Sequence, residues 1–475
     1  MLTTVSVLIA LALGQAQPTT PEPPAPGAAP AAEGPAANEE AGAAREDASH
    51  VPTRRYVIER IDLRGLKRAR PEAVRRHLLF EEGEILDPER VLLSRLALLQ
   101  LGWFSRVESH VERGTERGKV LVVFDVVERN TLLVTDLVIG STRPQPLYGG
   151  LGLSQQNFLG QGLGLSGGAV YGGPAEGRGG DPFRYSLRAG FFAPDLWVPH
   201  LRLVAGISGI FLRGEELTCP DVKCDQFSGN FGRAPRTRYQ RAGGEILLGV
   251  RPGPFERLSA SYRYERIHAV RVDLAPGIGP SIHEGWSNLG ALTGAYEIDT
   301  RDDFFYPTEG FHALGQVTLA SRLVGGDYEF SRYLVQADTA YSLFRFPLRF
   351  QGAVGAVQGD APFFDRFYAA DYSYFAVGPA LGRAMELNFS TDSRYDAFLA
   401  MGGLEYGFPL WSRADSPFHR AFLAVGARAV FSSAKLGGAR TDFSKLPISA
   451  DVALRLDTLI GTFNVSVGYL LDNAL

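Results

Sequence analysis

Two hydrophobic periods divide the chain. Between residues 55 and 129, apolar positions recur at both helical and strand spacing; from Thr131 onward only the strand period remains. In the first region, residues 56–66 read as a strand with Ile61 and Leu63 on one face, and Arg70-Pro71 opens a helix in which Val74 and Leu78 are four apart. Asp87-Pro88, an N-cap acid followed by a first-turn proline, opens a second helix. Its predicted apolar stripe is Leu92, Leu96, Leu99 and Trp103, and Gly102 marks its end. Two strands, 104–113 and 119–129, follow around the turn 114–118. The predicted order over 55–129 is β-α-α-β-β, a small α+β unit near the minimum size for a core of its own.

Beyond residue 130 the alternation is strict in several places. Phe463, Val465, Val467, Tyr469 and Leu471 interleave with Thr462, Asn464, Ser466 and Gly468; Leu258, Ala260, Tyr262 and Tyr264 interleave with Arg257, Ser259, Ser261 and Arg263. A soluble sandwich has the same period, so connection lengths decide between the two. Short links at 251–254, 344–347 and 457–461 alternate with long polar ones at 214–237, 268–285 and 358–397. Transmembrane barrels have this asymmetry, and clusters such as Phe304-Phe305-Tyr306 suit their interfacial girdles. The expected fold is an all-β transmembrane barrel over 130–475 with 15 to 16 strands, preceded by the α+β unit. Counting alternate turns gives about fifteen strands, whereas a closed barrel of this kind needs an even number, so closure is left open.

Composition agrees. Gly 55 and 11% aromatics accompany a mean hydropathy of only -0.04, as expected when outward apolar residues alternate with inward polar ones. No run approaches the roughly 18 apolar residues a spanning helix needs, so membrane residence has to come from strands. A net charge of -4 carries no basic excess, and no nucleic-acid partner is expected. Residues 1–16 have the shape of a secretory signal, with an apolar run 5–13 before Gly14-Gln15-Ala16; the missing Lys or Arg in front leaves a fortuitous apolar start as the alternative. Residues 17–54, rich in Pro, Ala, Gly and Glu, read as a disordered linker. Cys219 and Cys224 either close a small disulfide loop in an oxidising compartment or are two unpaired thiols; their spacing without a nearby His is poor for zinc.

Nothing points to catalysis. The eight histidines are scattered, and no H-E-x-x-H, Gly-x-Ser-x-Gly or phosphate-cradling loop occurs, so neither enzyme activity nor a cofactor or metal is expected.

The α+β unit resembles a POTRA domain, and three barrel segments are similar to the BamA/TamA family of outer-membrane assembly proteins. They are Gly152-Leu153-Ser154-Gln155-Gln156-Asn157-Phe158-Leu159-Gly160-Gln161-Gly162, the pair Asp299-Thr300-Arg301-Asp302-Asp303 and Tyr306-Pro307-Thr308-Glu309-Gly310, and the ending Ile460-Gly461-Thr462-Phe463-Asn464-Val465-Ser466-Val467-Gly468-Tyr469. The resemblance implies a Gram-negative outer-membrane location, the small domain in the periplasm, and a sixteen-stranded barrel whose first and last strands part sideways. It also implies a long sixth loop folded into the lumen around an arginine. Here only Arg383 of that loop motif survives, in Gly382-Arg383-Ala384-Met385-Glu386, and the acidic partner expected on the thirteenth strand is replaced by Ala424. Arg428 shares the facing of Ala424, so Glu386 or Asp360 becomes the candidate counter-charge; alternatively Arg383 is an ordinary solvated loop residue. The resemblance also implies a final strand ending in an aromatic residue; since this sequence ends Asp472-Asn473-Ala474-Leu475, either the count above misses a strand or, as the resemblance favours, the chain is expected to stop one strand short.

The expected function is assembly or insertion of unfolded outer-membrane polypeptides, captured by strand addition. One capture edge is the strand carrying Phe104, Val107 and Val111; the other is a seam between Leu132 and Val134 on the first barrel strand and Phe463, Val465 and Tyr469 near the end. Expected partners are unfolded outer-membrane or secreted polypeptides, outer-membrane lipid and accessory periplasmic or lipoprotein subunits. The alternatives are a translocator for one dedicated polypeptide or solute, and a passive structural barrel.

Overall fold

The computed structural model describes residues 8–10, 56–142, 145–173, 184–198, 201–217, 236–272, 280–302, 307–344, 346–368, 383–388, 395–412, 418–436, 447–458 and 460–471. The strand β1 (Leu8–Ala10) comes first. The small domain follows as β2 (Val57–Arg64), α1 (Pro71–Arg75), α2 (Pro88–Gln100), β3 (Phe104–Arg113) and β4 (Lys119–Glu128). Its sheet runs β2-β4-β3, with the central β4 parallel to β2 and antiparallel to β3. Asp87 caps α2 by accepting from the Glu89 amide at 3.0 Å. Val74, Leu98 and Leu99 join Ile58, Ile61, Val107, Val122 and Phe124 in one core.

The stripe expected on α2 is rotated. Leu92 is 50% exposed and Trp103 lies past the helix end, while Val91, Ser94, Ala97, Leu98 and Leu99 are buried. Ser94 explains the difference: its hydroxyl donates to the Arg90 carbonyl and accepts from the Leu79 amide, so a polar residue faces the core fully satisfied.

The barrel strands are β5 (Leu132–Thr142), β6 (Gln145–Phe158), β7 (Leu163–Gly172), β8 (Arg184–Val198), β9 (Leu201–Leu217), β10 (Arg236–Val250), β11 (Glu256–Val272), β12 (Gly285–Asp299), β13 (Gly310–Ala320), β14 (Phe330–Leu343) and β15 (Phe346–Gly359). A long connection carries four two-residue strands, β16 (Phe367–Tyr368), β17 (Arg383–Ala384), β18 (Leu387–Asn388) and β19 (Tyr395–Asp396). The wall resumes with β20 (Phe398–Ser412), β21 (Phe418–Ser433), β22 (Ile448–Thr458) and β23 (Gly461–Leu471). From β5 to β23 each wall strand pairs antiparallel with the next, which makes fifteen, and β1 occupies a sixteenth place beside β5. Strands β9 and β11 run to Leu217 and Val272, further than the polar flanks suggested. Cys219 and Cys224 lie outside the described residues, as do the linker and most of the apolar start.

The alternation sorts the wall into two chemistries. On β11, Leu258, Tyr262 and Tyr264 are exposed while Ser259, Ser261 and Glu265 are buried. The outward apolar row continues through Leu292, Tyr296, Val317, Leu319, Val335, Val354, Val425 and Val465, a band far larger than a water-facing surface carries. Inward stand Arg241, Glu265, Glu405, Arg428, Asp451 and Arg455, all buried. Among the described residues no helix is long and apolar enough to cross a membrane, so crossing falls to the strands.

Two sequence motifs turn out to build the end on which the small domain sits. In the turn after β6, the Asn157 side chain accepts from the Gly162 amide at 2.8 Å, and the Gly160 carbonyl accepts from Arg70 of the small domain at 2.9 Å. A Cβ on Gly160 (φ +72) would lie 2.1 Å from the Arg68 carbonyl, and one on Gly162 2.7 Å from the Trp103 ring, so only glycine lets the domain approach. In the turn after β12, Arg301 is 5% exposed and donates to both oxygens of Asp299 at 2.8 and 2.6 Å and to Asp338 at 3.1 Å. Asp302 accepts from the Thr308 and Glu309 amides, and the Gln100 amide of α2 donates to the Asp299 and Arg301 carbonyls.

Candidate functional site

Strand β3 lies at an edge of the small sheet, paired among the described residues with β4 alone. Phe104 and Val107 are fully buried toward the helices, whereas Val111 is 47% exposed. The edge is less open than its sequence implied: Arg95 of α2 donates from Nε to the Val107 carbonyl at 2.8 Å. By strand parity the outward backbone groups then fall to Ser109 and Val111. Beside them, Arg64 grips Glu112 with two bonds of 2.8 and 2.9 Å, and His110 adds a third; these hold the Glu112 carboxyl down at about 2.

The seam differs from the expected pairing of first with last strand. The barrel sheet ends at β1 on one side and β23 on the other, with no ladder joining them among the described residues. Strand β5 meets the last hairpin at one backbone bond, Val134 N–H to the Ile460 carbonyl at 3.0 Å; further along, Asp136, Leu137 and Val138 pair with Ala10, Ile9 and Leu8. Phe463, Val465 and Tyr469 therefore pair with β22 rather than with Leu132 and Val134. A bulge between Val134 and Asp136 breaks the regularity of β5 on its other flank as well. Leu132, Val465 and Tyr469 are 51, 45 and 69% exposed and continue the apolar band across the seam.

The long connection enters the lumen. At the barrel's far end, Phe363, Phe367 and Leu387 pack with Tyr239, Ile267, Leu289, Tyr328, Leu399 and Val430 in one buried cluster. Strands β17 and β18 form a hairpin whose two turn residues, Met385 (φ 46) and Glu386 (φ 70), both take the left-handed conformation that non-glycine residues resist. Glu386 accepts from Arg241 Nη1 at 2.8 Å, and Arg241, 1% exposed, makes two further bonds of 2.8 and 3.0 Å to Glu265. The Phe364 ring lies 3.7 Å from the Arg241 guanidinium carbon, and Arg263 binds Asp365 at 2.6 Å. The loop thus supplies acids and the wall arginines, from β10 and β11. Asp360, the other candidate acid, pairs with His283 at 2.6 Å, and the Arg383 side chain lies outside the described residues. Arg428 faces inward, 3% exposed, and Ala424 packs on Ala453. Parity alone marks Arg241 and Arg263 as inward; no sequence feature reveals that Glu386 and Asp365 meet them.

At the junction, His77 of the small domain is buried against Trp103, edge on at 5.6 Å between ring centres, with Asp195 of the wall 3.9 Å from its Nδ1. Burial, then Arg251, Arg202 and Arg76, pushes the imidazole down from 6.5 to about 3, so it is neutral. A cavity of about 300 Å³ opens beside this junction, between Arg68, Trp103 and Arg129 and the turn bearing Asn157 and Gly160. The described residues contain no cluster of His, Cys, Asp and Glu able to hold a metal ion.

Comparison with known proteins agrees with this architecture. The Omp85 superfamily domain matches residues 157–474, and the surface antigen variable number repeat, POTRA, matches 56–129. A putative outer membrane protein assembly factor of Treponema pallidum is 26% identical over 299 residues, 56% of this chain and 33% of its own length. The outer membrane protein assembly factor BamA of Neorickettsia risticii is 26% identical over 110 residues, 23% of this chain and 15% of its own. The chain therefore spans a third or less of these curated relatives. Among solved structures, CdiB from Escherichia coli has a TM-score of 0.57 at 11% identity, covering 88% of this chain and 73% of that one, a likeness of fold.

Proposed function

The chain belongs to the Omp85 superfamily of outer-membrane proteins, and from that premise we propose that it assembles other outer-membrane polypeptides by adding their strands to its own unfinished edges. The observation that carries this reading is the seam: fifteen successive wall strands in which β5 meets the last hairpin through one described backbone bond, Val134 to Ile460, and is otherwise flanked there only by the three-residue β1. An unpaired backbone group in hydrocarbon costs several kcal/mol, so an incoming strand is drawn to that site whatever its side chains. The small domain faces the periplasm and presents Ser109 and Val111 of β3 to an arriving client; accessory subunits dock on its remaining surface. Described parts of the long loop, Phe363, Phe367 and Leu387, pack into the outer half of the lumen, which favours the lateral route over passage through the pore. Secretion of a dedicated polypeptide is the second reading, supported by the barrel's likeness to CdiB. Quantitative proteomics of outer membranes after depletion separates the two. Loss of many unrelated barrels supports assembly, loss of one exported protein supports secretion, and unchanged levels of every other barrel would overturn assembly.

A further inference from the structure

On the outward face of β11 the apolar row Leu258, Ala260, Tyr262, Tyr264 is broken by an exposed Arg266, followed by His268. The register sets Arg266 opposite Asn288 and His268 opposite Trp286, near the barrel end remote from the small domain. Trp286 is 62% exposed; the Arg266 guanidinium lies 4.4 Å from its ring centre, and the His268 ring, tilted by 35°, lies 4.6 Å from it. A lipid-facing arginine is costly at the bilayer midplane and nearly free at the interface, so Arg266 marks the headgroup level.

The connection between β13 and β14 folds down onto the same patch instead of rising away from the wall. Ser321 caps a single turn, Arg322–Val324, by accepting from the Leu323 amide, and Gly325 (φ 83) reverses the chain. Tyr262 donates its hydroxyl to the Val324 carbonyl at 2.9 Å, Asp327 N donates to the Asn288 carbonyl at 2.8 Å, and Asn288 N returns a bond to the Asp327 carboxylate at 2.7 Å. Gly290 admits the loop, since a Cβ there would meet the Val324 carbonyl at 2.0 Å. The result is a fixed platform that holds Leu323, 97% exposed, beside the apolar band, with the Arg322 side chain 78% exposed and paired to Glu329 at 3.4 Å. A turn that spends four hydrogen bonds on presenting a bare leucine is explained when hydrocarbon, not water, surrounds that leucine.

We propose that Arg266, Trp286 and the Ser321–Gly326 turn form a binding site for a membrane lipid with a phosphorylated headgroup, in the leaflet opposite the small domain. The phosphate sits on Arg266 and within reach of Arg322, while an acyl chain lies along Leu323, Tyr262 and Tyr264. This rests on the outer-membrane reading above. The site fixes the height of β11–β13 in the bilayer, away from the seam.

The test reconstitutes the full chain in vesicles of mixed phosphatidylcholine and phosphatidylglycerol and measures the lipid retained after mild detergent extraction. The unaltered protein is expected to retain phosphatidylglycerol severalfold above its share of the vesicle. Arg266→Gln with Arg322→Gln is expected to lose that enrichment, and Gly290→Val, which unseats the turn without altering charge, is expected to lose much of it. Enrichment unchanged in both variants would overturn the site, as would its abolition by millimolar inorganic phosphate, which would make it a phosphate pocket and not a lipid site. Membrane insertion is read in the same samples: a chain that never inserts sinks the outer-membrane reading itself, whereas insertion with undiminished enrichment sinks only this proposal.

Discussion

The two open edges of this molecule sit in different solvents, and that difference divides their labour. Strand β3 faces water, which satisfies its outward amides and carbonyls at almost no cost, and one of them, the Val107 carbonyl, is covered by Arg95 anyway. Strand β5 comes to the seam within the apolar band, paired there only with the short β1 and at one bond with the last hairpin, and where water is missing each backbone group left over is worth several kcal/mol. In the proposed function the small domain would receive a strand but gain little by it, and the seam would supply the driving force.

The comparison breaks most directly at the seam. Cysteines at Val134 and Ile460, whose backbones already share a 3.0 Å bond, should form a disulfide that fastens the first strand to the last hairpin. Oxidised protein is expected to lose client assembly entirely in a reconstituted insertion assay, with reducing agent restoring it; full activity in the oxidised form would remove the seam from the mechanism.

A second test asks whether the lumen is a stopper and not a route. Arg241→Glu leaves Glu386 and Glu265 facing a like charge, and breaking such a buried pair costs about 3–5 kcal/mol. Planar-bilayer conductance is expected to rise in Arg241→Glu and, less, in Glu386→Gln; Glu386→Arg combined with Arg241→Glu should return toward the unaltered value. Conductance unmoved by Glu386→Gln would show that the hairpin is held by other contacts.

The junction between the two edges is expected to loosen in mild acid. His77 is held at about 3 when docked against an ordinary 6.5 when exposed, so the undocked domain takes up the proton that the docked one refuses. Docking is unaffected above pH 6.5 and weakens by about 1.4 kcal/mol for each unit below it, down to pH 5, where carboxylates begin to titrate. Spin-label distances between the small domain and the turn after β6 should report this, and His77→Gln should flatten the response. A pH-dependent distance that persists in that variant would clear His77.

The smallest effects belong to the water-facing edge. Val111→Pro removes an outward donor and should reduce client crosslinking to β3 severalfold. Arg95→Ala frees the Val107 carbonyl and should raise it, by a factor matching one hydrogen bond of about 1 kcal/mol. Equal crosslinking in all three proteins would leave β3 without a role.

Much of this architecture was legible because period and parity are local. The dyad pattern placed Ser259 and Ser261 inside and Leu258 and Tyr264 outside, and the same counting set Arg428 in the lumen. The Gly160 and Asp302 motifs were recognisable as segments, but what they serve was hidden. One receives Arg70 and Trp103 from a domain some sixty to ninety positions earlier in the numbering, and the other ties Thr308 and Gln100 to a single turn. The stripe of α2 was misjudged because hydrophobicity scores Ser94 as outward when two backbone partners had made it a core residue.

The order of residues by itself determined which faces are apolar, where the chain turns and that it crosses a membrane as strands, because each of these follows from neighbours two to four positions apart. The folded structure alone decided which charges meet. Glu386 finds Arg241, and Asp365 finds Arg263, across a barrel that brings positions more than a hundred residues apart within 3 Å, and Arg95 covers the Val107 carbonyl on an edge that local reading had left open. An ion pair is fixed by distance in space and by the loss of water around it, and neither quantity is written in the spacing of residues along a strand.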